Sequence, residues 1–171
     1  MIAWLRGWLL DIPARRPPDF IVGGRERPYL ERWWLLPRNP IFNLYLHRIS
    51  RSDDDRALHD HPWCSMTWML DGSYTEVVFR RPRHWREDQR VRRIPRRAGD
   101  IVFRRSTTAQ RLEVCEGPRI WPNCPGGAMT LFVTGPVLRS WGFYCPQGWR
   151  HWRAFVSGRD SGQIGAGCGE P

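Results

Sequence analysis

Lysine is absent. All 27 basic side chains of this 171-residue chain are arginine, and against 17 Asp and Glu they leave a formal net charge of +10. A nucleic-acid surface ordinarily mixes the two cations, so basicity carried by arginine alone is a weaker pointer to phosphate and follows equally from a GC-rich coding sequence. Binding of nucleic acid or an acidic partner therefore stands as an alternative and not as the leading reading. Long apolar runs are also missing. The stretch from Met1 to Leu10 is interrupted by Arg6 and is not followed by a small-residue cleavage site, which supports neither a signal peptide nor a membrane span. It is expected to pack on the domain as a short amphipathic helix.

The five cysteines are odd in number, lack Cys-x-x-Cys spacing and are too sparse for a disulfide-built secreted scaffold, so a reducing, cytoplasmic setting is expected. After residue 12 no helical period is present. The 15 Pro, 16 Gly and many aromatic residues instead indicate an all-β fold of short strands, and the length suits one domain with its own core.

Residues 1–28 read as an N-terminal arm, 29–156 as the β-barrel domain and 157–171, polar and Gly-rich, as a disordered tail. Tyr29–Leu36 and Ile41–Ile49 form a hairpin or sheet corner about a Pro-flanked turn. Ser50–Arg56 is a charged loop whose three aspartates lack the spacing of a calcium loop. A strand from His59 to Leu70 is expected to turn at Asp71-Gly72 and return as Ser73–Arg80. The arginine-rich stretch 81–98, with His84 and Trp85, reads as a loop and a charge-guarded edge strand. Strands follow at Ile101–Arg104, Gln110–Val114, Met129–Thr134 and Ser140–Cys145, with a loop over 115–127 and a terminal turn or short helix ending near Phe155.

Two of only five histidines stand one residue apart in Ala57-Leu58-His59-Asp60-His61-Pro62-Trp63. On a strand, His59 and His61 share a face and Asp60 points away, so the pair is half of a metal site. On the same parity Trp63, Ser65, Thr67 and Met69 face inward, and Tyr74, Phe103 and Leu112 are assigned to the same pocket. The opposite row, Cys64, Met66, Trp68 and Leu70, is also apolar and needs a cover, from the N-terminal arm or a second subunit.

The order of these pieces resembles the cupin superfamily (RmlC-like jelly rolls). Its first motif runs His-x-His, three or four residues, Glu, six residues, Gly; its second runs Gly, five residues, Pro-x-Gly, two residues, His. His59, His61 and Gly72 fill the first frame with Ser65 at the glutamate. Gly99 opens the second, with Arg105 at the Pro, Thr107 at the Gly and Gln110 at the third histidine. The spacing is kept in both, and the ligand chemistry only in His59 and His61. A closer likeness over residues 29–155, carried by His59-Asp60-His61-Pro62-Trp63, Thr134-Gly135-Pro136 and Trp141-Gly142-Phe143, is to uncharacterised bacterial and phage cupin-like proteins.

The resemblance implies a single double-stranded β-helix barrel with a short N-terminal helix or arm, a homodimer, and one divalent transition metal (Fe, Ni or Zn) held by His59, His61 and Gln110. A glutamine carbonyl is a poor substitute for imidazole, so low occupancy is expected. His47 and Glu76 are the other candidates for completing the set. The leading reading is a barrel that binds an unknown small molecule beside a degenerate two-histidine site. An active mononuclear dioxygenase or isomerase is the alternative.

Overall fold

In the computed structural model, residues 2–53, 57–80, 91–114 and 127–169 are described. Helix α1 (Ile2–Arg15) is followed by strands β1 (Phe20–Val22), β2 (Leu30–Trp34), β3 (Asn43–Ile49), β4 (Leu58–His59), β5 (Ser65–Arg80), β6 (Arg92–Arg97), β7 (Ile101–Arg104), β8 (Thr108–Glu113), β9 (Ala128–Thr134), β10 (Gly142–Cys145) and β11 (Gly148–His151), then the one-turn helix α2 (Trp152–Phe155). All strand pairings are antiparallel. One sheet runs β1-β2-β3-β9, then the first half of β5, then β7. The other runs from β6 through the second half of β5 to β8, β4, β10 and β11.

The shared strand β5 corrects the expected hairpin at Asp71-Gly72. The chain does not turn back there; it continues straight through and changes sheets. Before Gly72 it pairs with β7 and β9, and after it with β6 and β8. The register shifts between Met69 and Asp71, the mark of a β-bulge. Gly72 has φ +72°, and a Cβ there would lie 2.0 Å from the Gly127 carbonyl oxygen. Asp-Gly thus serves a bend and a close backbone approach, which use the same residue chemistry as a hairpin.

Helix α1 reaches Arg15, beyond the expected Leu10, and covers Trp68 and Leu70 of the outward row, while Cys64 stays exposed. Leu9 and Ile12 pack with Trp33, Leu46 and Leu70, and Trp68 lies against the same cluster. Full burial of Leu9 and Ile12 is worth about 1.5–3 kcal/mol each. Arg6 donates to the Leu70 carbonyl at 2.6 Å, tying the helix to the bulge in β5. The N-terminal arm is therefore not separate from the barrel: β1 lies within residues 1–28 and extends the sheet beside β2.

Two further expectations change. Residues 157–169 do not hang free: Gly23 N donates to Gly162 O, Ser157 N to Gln163 O, and Val156 bridges Ile164. Cys168 of this segment is disulfide-bonded to Cys145 on β10, with Cα atoms 5.4 Å apart. The cysteine argument for a reducing cytosol thereby loses its footing. Cys64 is free and exposed, while Cys115 and Cys124 lie outside the described residues. The loops expected at 81–90 and over most of 115–127 also lie outside the described residues. Among those described, no helix is long and apolar enough to cross a membrane.

Candidate functional site

The two sheets enclose a cavity of about 570 Å³, and His59 and His61 stand on its wall. They do not share a continuous strand. Strand β4 ends at His59, Pro62 and Trp63 form a bend, and β5 starts only at Ser65. His59 is held by backbone pairing to Gln110 on β8 and to Phe143 on β10. Asp60, turned away from the cavity, fixes the segment between the rings. Fully buried, it accepts from Gly142 N at 2.8 Å, from Tyr144 OH at 3.2 Å and from Arg139 Nη1. Burial, with the Asp60 carboxylate next, pushes the Tyr144 phenol up to about 12.

The rings of His59 and His61 meet edge to face with centroids 5.2 Å apart. The His61 ring lies near-parallel to those of Trp63 and Trp141, with centroids 5.9 and 6.2 Å away. Desolvation, followed by the neighbouring His59, Arg104 and Arg32, holds His61 well below the ordinary histidine pKa, so the ring is neutral. A neutral imidazole is the ligating form. His61 Nε2 lies 3.3 Å from Gln110 Nε2, and Gln110 Oε1 is buried with no hydrogen-bond partner. Asp53 approaches His59 from its Nδ1 side at 3.7 Å, the place of an outer carboxylate that orients an imidazole.

Trp63, Thr67, Tyr74, Gln110, Leu112 and His47 all line the cavity. Four candidates lie elsewhere. Ser65, at the start of β5, and Phe103 border a separate, more open depression. On β7 exposure alternates so that Phe103 is 77% exposed while Arg104 is buried. Met69 is buried in a core cluster with Tyr29, Leu30, Ile49 and Tyr74 and does not reach the cavity wall. Glu76 is buried but committed to arginine: Oε1 accepts from Arg104 Nε at 2.5 Å and Oε2 from Arg96 Nε at 2.8 Å. Arg104 also donates to Thr67 Oγ1 at 2.6 Å and to Tyr74 OH at 3.4 Å.

The arginines of the wall were not anticipated. Arg32 on β2 sits directly across from His47 on β3 and donates from Nε to His47 Nε2 at 2.8 Å. Its guanidinium lies over the rings of Tyr45 and Phe20, at 4.8 and 5.9 Å. The alternation of β2, Leu-Glu-Arg-Trp-Trp, does not reveal that the inward member is an arginine.

No family model matches the chain, and none of the curated proteins is detectably similar to it. Solved structures are similar in fold. Fe(II) HppE in complex with substrate superposes with a TM-score of 0.51 at 13% identity, covering 70% of this chain and 57% of that one. An RmlC-like cupin from Shewanella frigidimarina aligns at 16% identity and TM-score 0.44, covering 71% of this chain and 83% of its own. The Clostridium difficile EutQ protein aligns at 11% identity and TM-score 0.47, covering 74% and 84%. The barrel has the cupin fold. This chain spans little more than half the length of HppE, and at these identities the likeness concerns the fold alone.

A cupin barrel raises the question of a metal centre, and the donor atoms answer it in part. The imidazoles of His59 and His61 and the orphaned amide oxygen of Gln110 lie in one region of the cavity wall. Among the described residues no group of three His, Cys, Asp or Glu side chains converges. His47 accepts from Arg32 and Glu76 from two arginines, so neither completes the set. The three-histidine, one-carboxylate centre does not fit this cupin barrel, and no chemical step through a metal follows.

Proposed function

We propose that this chain is a small-molecule-binding cupin whose two-histidine site holds a divalent transition metal only weakly. The observation that carries the reading is the cavity of about 570 Å³ with buried polar atoms, Trp63 Nε1 and Gln110 Oε1, that have no protein partner. Buried polar groups without partners cost about 1–3 kcal/mol each, a cost a bound molecule or ion removes. The closer likeness of residues 29–155 to uncharacterised bacterial and phage cupin-like proteins belongs to the same proposal. So does a homodimer, for which the exposed Phe42, Ile101 and Phe103 offer apolar surface.

The metal half is tested on untagged protein loaded with Zn(II) or Ni(II), gel-filtered and analysed for metal. The expected result is loss of metal on the column. Stoichiometric metal that survives in the wild type and disappears in His59→Ala would instead favour the active mononuclear enzyme.

A further inference from the structure

We propose that the small molecule bound in the barrel is an organic anion with a flat apolar body, its charged end paired with Arg32. The inference rests on the small-molecule reading above and adds the ligand's charge and shape.

The charge follows from what surrounds Arg32. Among the described residues no carboxylate pairs with it; its side chain donates to neutral His47 and lies over the faces of Tyr45 and Phe20. A guanidinium has five N–H donors, and one imidazole nitrogen accepts only one of them. Desolvation without a counter-ion brings the Arg32 pKa down to about 10, which still leaves it charged at neutral pH. Arg32 is one of the residues lining the cavity.

The nearby ionised groups do not supply the missing charge. Glu76 is shared between Arg104 and Arg96, so that trio carries a net positive charge behind Thr67 and Tyr74. Arg38 stands on the same cavity wall over the Trp34 ring. Asp53, the carboxylate on the wall, lies at His59. An anion entering the cavity thus meets an uncompensated cation already desolvated and in place, which is the costly part of building a charged recognition site.

The shape follows from the rest of the wall. Trp63 and Trp141 lie near-parallel to His61, 15° and 29° from its plane, and Phe132 and Phe143 tilt against the two histidines. Flat aromatic surfaces on a cavity wall favour a planar apolar body laid against them.

The test compares benzoate with benzamide, which have nearly the same shape and differ in charge, by calorimetry and by quenching of the tryptophans on the wall. The expected result is benzoate binding at least about tenfold tighter than benzamide, the scale of one charge-assisted hydrogen bond. Arg32→Met, which keeps the apolar stem, is expected to abolish that preference and leave benzamide binding unchanged. Equal affinities in the wild type, or a preference that survives in a folded Arg32→Met protein, would overturn the anion inference and leave the small-molecule reading standing. Failure of both compounds to bind overturns the inference, while saturable binding of any other neutral compound in the same assay keeps the broader reading. The wild-type comparison decides even where Arg32→Met does not fold.

Discussion

Replacing Glu76 by Gln keeps the size of the side chain and removes the one negative charge from a buried cluster. Glu76 is 1% exposed, Arg104 4% and Arg96 21%, and the two carboxylate oxygens divide between the two guanidiniums. After the substitution two cations face one another with no anion between them, and the largely buried Arg104 guanidinium loses its counter-ion. Uncovering a buried charge in this way costs about 3–5 kcal/mol. A domain of this size has roughly 5–15 kcal/mol in total, so the variant should be close to unfolding at physiological temperature. Urea titration followed by tryptophan fluorescence measures the difference, and an unchanged m-value confirms that the same two states are compared. The half-exposed pair Arg93–Glu113 is the control, and Glu113→Gln should cost no more than about 1 kcal/mol. A loss below about 1 kcal/mol in Glu76→Gln would show that Arg104 does not depend on Glu76 for its burial and would refute the reasoning. The double variant Glu76→Leu, Arg104→Met should recover much of the loss, since apolar replacements of buried ion pairs are often neutral or better.

The Cys145–Cys168 bond closes a loop with a sequence separation of 23, for which the chain-entropy account gives about 3 kcal/mol. Reduction, or Cys168→Ser, should lower the urea midpoint correspondingly, with thiol counting by mass spectrometry confirming the state of the bond; an unchanged midpoint after verified reduction refutes this. His47 is held well below the usual histidine pKa by burial, then by Arg32 and His61. Below about pH 6.5 the unfolded chain binds a proton at this position that the folded one refuses, so stability falls as the pH drops, by up to about 1.4 kcal/mol per pH unit. Its contribution is complete above that pH. His47→Gln should flatten this part of the stability profile, and an equally steep profile in the variant rules His47 out as its source.

The antiparallel barrel was legible from motif spacing because the spacing records how far apart two strand ends must lie, whatever side chains they carry. His59 and Gln110 face each other across β4 and β8 as the count requires. Ser65 and Thr67 share a face of β5, yet Thr67 lines the cavity and Ser65, at the start of the strand, borders the neighbouring depression, a distinction that parity does not make. Phe103 was misassigned because an apolar residue on a strand was taken to face inward. Here the buried position belongs to Arg104, and its partner Glu76 comes from a strand 28 residues earlier. No local pattern encodes a charge that becomes tolerable only through so distant a partner. The same holds for Arg32, whose neighbours Tyr45 and His47 meet it across the sheet. The Gly-rich segment 157–169 looked disordered because its composition buries little, and its order comes from a disulfide and from backbone bonds to the strand side of the barrel.

That segment has a consequence for how the protein is made. Ser161, Gly162, Gln163 and Ile164 form part of the cavity wall, although they follow every strand in chain order. The strands can pair and the histidines come together before this part of the wall exists. Closing the wall therefore falls to a segment synthesised after all of the strands, which the Gly23–Gly162 backbone bond and the Cys145–Cys168 disulfide hold in place.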